Sequence, residues 1–388
     1  MGSDGIPELA RLEIDLAAIA ANWRLLAARH PGGPVAGVVK ADAYGLGAAR
    51  VAPVLLRAGC RHFFTAHLAE AIAIAPLLRG AMLAVLNGMP PGSEAAFLAH
   101  GILPVLGTLD EVDRWAALAR RRERALPALL HFDTGMHRLG LDAAALHALA
   151  ADPHRLDGIA VRFVMTHLVA SEVPDDPMNA LQRQRFAATC AALPPPLAAA
   201  PRSFANSSGI FLGPDFASDL ARPGAALYGL NPVPGRPNPL HPVVRLRARV
   251  LALREVPAGE GVGYNGTWQA PRPSRIATIG VGYADGWLRS QSGRGHALFD
   301  GAPLPLVGRV SMDLSTFDAT DHPQLLPGAW LDLIAVAAAP HSRSPDDVAM
   351  AAGTNGYEIL TALGGRYRRV WHGGGDDLQA CHPGADRA

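Results

Sequence analysis

The chemistry open to this chain is constrained most by Lys40. It closes the apolar run Val38-Val39 and is followed at once by Ala41-Asp42-Ala43-Tyr44-Gly45-Leu46-Gly47. An amine at the end of an apolar strand loses hydration, which disfavours the ammonium and leaves a nucleophile able to condense with an aldehyde. Taken alone, such a lysine reads instead as one whose ammonium reaches water along its alkyl stem, so its company decides. Asn87, His131 with Asp133, His167, Asn206 with Ser207, and Arg222 all fall at or just after the ends of other apolar runs. Far downstream, Tyr264 stands in Gly261-Val262-Gly263-Tyr264, a phenol that either exchanges a proton or packs at a rim.

These residues need elements to hold them. Apolar runs lie near 35–40, 62–66, 82–87, 102–106, 128–133, 161–167, 202–206 and 218–222, separated mostly by amphipathic stretches. Leu16, Ile19, Trp23 and Leu26 recur at three- and four-residue intervals and predict a helix with one apolar stripe before the first run. Thr108 and Glu111 form a capping box ahead of Val112, Trp115 and Leu118, while Gly59, Gly80 and Gly101 sit where helices should stop. Eight strand-then-helix units predict a (β/α)8 TIM-type barrel, whose polar chemistry gathers at the C-terminal ends of its strands. An open doubly wound sheet shares the alternation, but polar residues on so many strand ends suit a closed barrel better.

The pattern stops at Asn231-Pro-Val-Pro-Gly-Arg-Pro-Asn-Pro-Leu-His-Pro242, where proline density holds the chain extended. Beyond it, Val244–Val256, Ile276–Tyr283 and Trp330–Val336 are β-prone runs between Gly/Pro turns, with a capped helix expected after Ser344. The expected class is therefore α/β plus β: a barrel over residues 1–238 and a mostly β domain over 239–388.

Composition narrows the partners. With 35 basic and 34 acidic residues, the formal charge is +1, which lacks the electrostatic footprint of a nucleic-acid binder. A hydrophobic content of 49% over 388 residues suffices for large cores. Cys60, Cys190 and Cys381 form no metal-type or disulfide spacing. No export signal and no membrane-length apolar run is visible, so a soluble cytoplasmic protein acting on a small molecule is expected.

Collinear motifs connect the strand-end residues. They are Lys40-Ala-Asp-Ala-Tyr44-Gly-Leu-Gly, Asp133-Thr-Gly-Met-His-Arg138-Leu-Gly, Asn206-Ser207, Arg222-Pro-Gly224-Ala-Ala-Leu-Tyr228-Gly, Gly261-Val-Gly-Tyr264, Gly280-Val-Gly-Tyr-Ala-Asp-Gly, Gly308-Arg-Val-Ser-Met312-Asp313 and Gly353-Thr-Asn-Gly-Tyr357-Glu. In this order the set resembles alanine racemase, from near the N-terminus to about Trp371. The resemblance implies a barrel followed by a β domain, and interconversion of L- and D-alanine on pyridoxal 5'-phosphate carried by Lys40. Moving a proton between the two faces of a planar centre needs an acid/base group on each. By resemblance these are Lys40 and Tyr264.

The same resemblance implies roles for the remaining residues. Arg222 would face the pyridine nitrogen of the cofactor, and His167 would link it to the opposing tyrosine. Taken singly, Arg222 reads as half of an ion pair with Asp219, and His167 as a satisfied strand-end histidine. Tyr44, Ser207, the amides around Gly224, and Tyr357 would hold the phosphate, with Asn206 beside them. Arg138 and the Met312 amide would hold the substrate carboxylate, although a surface salt bridge is the plain alternative for Arg138. The family also implies a head-to-tail homodimer in which Tyr264 and Met312 of one copy complete the site of the other. D-alanine would serve peptidoglycan synthesis or alanine catabolism.

One residue departs from the family pattern. Two positions before Asp133, where many members carry a lysine that is often carbamylated, this chain has His131. No carbamate is expected there, and the support of Arg138 must be arranged differently. Two rival readings compete with the racemase. A metal-dependent barrel hydrolase would draw on His67, His131, His167 and Asp133, but lacks an early His-x-His pair, and no metal is expected. A non-catalytic cofactor carrier would leave Tyr264 and the second domain without a role.

Overall fold

The computed structural model describes residues 8–335 and 342–374. Residues Ile19–His241 form one compact unit, and the segment ending at Ala18 groups with Pro242–Ala388 in the other. The first strand, β1 (Ala10–Asp15), explains the difference from the expected 1–238 barrel. It runs antiparallel to β9 (Val244–Val256) and parallel to β17 (Arg368–His372), with Leu12 opposite Leu246 and Arg369.

In the first unit, β2 (Gly37–Val38), β3 (His62–Thr65), β4 (Met82–Val85), β5 (Leu103–Leu106), β6 (Leu126–His131), β7 (Ile159–Met165) and β8 (Arg202–Ser203) pair in sequence order. All these pairings are parallel. The eighth run closes the ring through single parallel bridges, Leu220 to Ser203 on one side and Ala221 to Val35 on the other. Ala36, Val38, Phe64, Ala84, Val105, Leu129, Phe163, Met165 and Leu220 fill its interior. That is the packed core of a barrel, with strand C-termini left to carry polar groups.

The helices follow their sequence signals. Leu16, Ile19, Trp23 and Leu26 are all buried along helix Leu16–Arg29. Thr108 caps helix Leu109–Arg121 by accepting from the Glu111 N–H at 3.2 Å. Gly59 and Gly101 end their helices at positive φ, as a left-handed C-terminal residue should.

The second unit is antiparallel apart from the β1–β17 pair. Its strands are β1, β9, β12 (Ser274–Ile279), β13 (His296–Phe299), β14 (Ala302–Val307), β15 (Ser315–Asp318), β16 (Trp330–Ile334) and β17, with β10 (Gly261–Val262) and β11 (Trp268–Gln269) as a separate hairpin. The order β12-β15-β14-β13-β16-β9 returns on itself because β12 also pairs with the second half of β9. Ser344 accepts from the Asp347 N–H at 3.1 Å and starts helix Pro345–Ala352. Val336, the end of one β-prone run, and Cys381 lie outside the described residues, while Cys60 and Cys190 are buried free thiols. Among the described residues no helix is long and apolar enough to cross a membrane.

Candidate active site

Lys40 lies two residues past the end of β2, at the barrel end where strands terminate. The next four residues, Ala41, Asp42, Ala43 and Tyr44, have φ between 52° and 56°, one turn of left-handed helix built without glycine. Each such residue costs about 1–2 kcal/mol, so the surroundings must impose the turn. Three restraints are visible. The Asp42 carboxylate accepts from the Ala48 N–H at 2.7 Å, the Tyr44 ring lies 4.7 Å from that of Tyr228, and a Glu70 carboxylate oxygen takes the Ala41 N–H at 2.6 Å. Tyr228 is itself fixed by donating to the Val38 carbonyl at 2.9 Å.

Charge converges on the lysine. Burial and then the Arg138 guanidinium lower the Lys40 pKa below its ordinary value, with Glu70 opposing them. Arg138 itself pairs with no carboxylate among the described residues, so the surface salt bridge open to it on sequence grounds is not formed. Instead Asp133 spends its carboxylate on the N–H groups of Gly135, Met136 and His137, fixing the turn that leads into Arg138.

Arg222 is buried, with 4% of its surface exposed. Its guanidinium donates to the Ser203 hydroxyl and to the Thr166 carbonyl, the latter at 2.5 Å. The ion pair with Asp219 is not formed, because Asp219 turns to the Arg202 N–H at 2.7 Å. Among the described residues no carboxylate replaces it. Burial lowers the Arg222 pKa to about 10, which still leaves the group charged at neutral pH. No hydrogen bond joins Arg222 to His167 among the described residues, although the arginine's charge acts strongly on that ring.

His131 and His167 are both held neutral. Burial, then Arg222, brings His131 to about 4, with Asp133 opposing. Burial, then Arg222, Lys40 and Arg138, brings His167 to about 3. Both values lie below the unfolded value of about 6.5, so the unfolded chain takes up protons first on acidification. The stability linked to these neutral rings is complete above about pH 6.5 and is lost as pH falls toward the folded values. The slope is up to about 1.4 kcal/mol per pH unit for each ring. Thermal unfolding midpoints are therefore expected to drop between about pH 6.5 and pH 4.5, and more gently in His131→Asn. An identical slope in that variant would remove His131 from the account.

A cradle of hydroxyl and amide groups stands beside the lysine turn. Ser207 accepts from the N–H groups of Gly224 and Ala226 at 3.0 and 3.2 Å, which leaves its own proton to donate outward. A Cβ at position 224 would collide with the Tyr44 hydroxyl, so glycine there keeps phenol and backbone in close approach. Burial pushes the Tyr44 phenol up, keeping it a donor. Asn206 lies next to this cradle and turns away, accepting from Ser171 and from the Gly209 N–H.

Gln182 carries no motif, yet it ties the site together. Its amide donates to Thr134 and to the His167 carbonyl, and its carbonyl accepts from the Val169 N–H, all within 3.1 Å. Thr134 in turn contacts Thr166 at 2.8 Å, so the loops bearing Arg138, His167 and the acceptor of Arg222 are joined. Only its place on the buried face of helix Pro177–Ala191, a polar residue where an apolar one is usual, marked it in the sequence.

Tyr264, Met312 and Tyr357 lie on the other unit. Tyr264 follows Gly263 (φ 74°) and is 67% exposed; Met312 is 53% exposed. The Met312 carbonyl accepts from Ala284 at 3.0 Å, and its own N–H has no partner among the described residues. Tyr357 is the second residue of helix Gly356–Ala362. No group of three or more His, Cys, Asp or Glu side chains among the described residues could hold a metal; His67 starts helix Leu68–Ile74.

Known proteins match this arrangement along nearly the whole chain. Residues 14–232 fit the alanine racemase N-terminal domain and residues 243–371 the alanine racemase C-terminal domain. The chain belongs to the alanine racemase family. The alanine racemase of Acidiphilium cryptum is 56% identical over 92% of this chain and 98% of its own. That of Rhodospirillum rubrum is 50% identical over 94% and 96%. The crystal structure of alanine racemase from Bartonella henselae, with covalently bound pyridoxal phosphate, superposes with a TM-score of 0.89 at 41% identity, covering 94% of this chain and all of that one. Family membership thus accords with the barrel-plus-β expectation.

Proposed function

We propose that the chain interconverts L- and D-alanine, using pyridoxal 5'-phosphate held by Lys40, with Lys40 and Tyr264 as the two proton-transferring groups. The observation that carries this reading is the Lys40 amine itself, depressed in proton affinity by burial and Arg138 at a strand end beside the Ser207–Gly224 cradle. The cradle's chemistry suits a phosphate, since it offers hydroxyl and amide donors at a point where a Cβ is excluded. Tyr44, Ser207, Gly224 and Tyr357 would hold the phosphate, with Asn206 and His167 bordering the cofactor. When bound, pyridoxal phosphate supplies an electron-withdrawing ring that makes the α-hydrogen of alanine acidic.

The chain's residues do the rest. The Lys40 amine takes or returns the α-proton on one face, and the Tyr264 phenol does so on the other. Arg222, a donor that cannot accept, would face the pyridine nitrogen and give it no proton, which favours return of the proton to the α-carbon over transfer of the amine. Its lack of a carboxylate partner among the described residues suits that role. Arg138 and the Met312 N–H, neither with a partner among the described residues, would receive the substrate carboxylate. His131, neutral at working pH, offers no amine to be carbamylated. Exposure of Tyr264 and Met312 supports a head-to-tail dimer in which each copy completes the other's site. A cytoplasmic location is part of the proposal and fits the free thiols of Cys60 and Cys190.

The test is direct. Borohydride should fix the cofactor covalently on Lys40 of the purified protein, and the protein should exchange the α-hydrogen of alanine with solvent. Lys40 is the only lysine in the sequence, so its recovery without label, or no exchange, would overturn the assignment. Gly224→Ala should weaken cofactor binding about tenfold or more by forcing Tyr44 out of the cradle, read by equilibrium titration of the apoprotein. An unchanged affinity would separate the cradle from the phosphate.

A further inference from the structure

Glu70 does more than its place in a helix requires. It is the third residue of helix Leu68–Ile74, where a capping glutamate needs only the N–H at the helix start. One of its oxygens meets that need, accepting from Ala66 at 2.9 Å and His67 at 3.1 Å. The other reaches across to the preceding strand's loop and takes the Ala41 N–H at 2.6 Å. Ala41 directly follows Lys40 and opens the left-handed turn, and among the described residues its N–H has no other partner. The barrel unit two further on repeats the device: Glu111 binds Gly107 and Thr108 with one oxygen and Met89 with the other, at 2.7, 3.1 and 2.7 Å. The loop held there bears no residue of the proposed chemistry, so Glu111 provides an internal comparison.

From this placement we infer that Glu70 is a positioning residue for proton transfer: by anchoring the 40–41 peptide it holds the left-handed turn and aims the Lys40 amine. The inference rests on the proposed role of Lys40. A backbone free to leave this disfavoured conformation would carry the lysine's Cα with it, and small misplacements of a reacting group cost large factors in rate.

The variants are Glu70→Ala, Glu70→Gln and Glu111→Ala, each compared with the parent holoenzyme. Glu70→Ala is expected to lower kcat for alanine racemisation by about tenfold to a hundredfold, with KM changed by less than about threefold. Glu70→Gln, which keeps a side-chain carbonyl for Ala41, should recover most of the loss, and Glu111→Ala should stay within about twofold of the parent. A readout that general loosening does not move is the α-deuterium isotope effect. Slowing the Lys40 step alone raises it for the enantiomer whose α-hydrogen Lys40 removes, and lowers it for the other. Independently of turnover, hydrogen exchange read in the peptide spanning residues 39–46 should speed up about tenfold in Glu70→Ala. Unchanged exchange there, or faster exchange with unchanged kcat and isotope effects, would overturn the inference. If Glu70→Ala does not fold, Glu70→Gln is read in the same ways, with a smaller shift in the same direction expected and no shift overturning it. A parent that fails to exchange the α-hydrogen of alanine marks failure of the functional reading instead, and the amide exchange still decides whether Glu70 holds the turn.

Discussion

Replacing Lys40 by alanine is expected to lower alanine racemisation by a factor on the order of a thousand or more, since one side chain both anchors the cofactor and moves a proton. The protein should remain folded. Lys40 is desolvated and lies within reach of the Arg138 charge, so its removal relieves an electrostatic cost. A thermal midpoint equal to or above that of the parent, together with lost turnover, separates chemistry from stability. The variant would contain no lysine at all, so activity within about tenfold of the parent would show that turnover needs no lysine anchor and would overturn the role given to Lys40.

The second large effect is a restoration. Tyr264→Phe removes only the phenolic oxygen and should reduce turnover by about a hundredfold or more. Each site of the proposed head-to-tail dimer combines Lys40 of one copy with Tyr264 of the other. A heterodimer of Lys40→Ala and Tyr264→Phe chains then contains one site with both native residues and one with neither. Co-refolding the two inactive variants in equal amounts should return about a quarter of parental activity, because about half of the dimers are mixed and each has one competent site. Failure to rise above the separate variants would mean that Lys40 and Tyr264 of the same chain work together. Exposure of Tyr264 in the single chain is the structural reason to expect restoration.

Much of this was legible in residue order because the signals are local. The stripe Leu16, Ile19, Trp23, Leu26 forecasts its own burial, and Thr108 with Glu111 forecasts a helix start. The apolar runs mark the barrel strands, although the eighth forms only single bridges at Leu220 and Ala221. Strand β1 escaped the reading. Its six residues lie against a stronger helical pattern, and its partners lie more than two hundred residues away. Nor did the sequence signal the left-handed turn: Ala-Asp-Ala-Tyr carries no glycine, and local preference opposes the conformation it adopts.

At the site the same line divides what was readable from what was not. Residue types and spacing determined which groups are present: an amine after an apolar run, a phenol among glycines, arginines at strand ends, hydroxyls near Gly224. Only the tertiary structure decided their partners. Arg222 was free to be half of an ion pair until Asp219 was seen to turn to a backbone N–H, and Glu70 and Gln182 were ordinary helix residues until their contacts were known. A side chain carries its donors and charge in its covalent structure. Its proton affinity and its aim come from groups distant in the chain, and the fold alone brings those within hydrogen-bonding range.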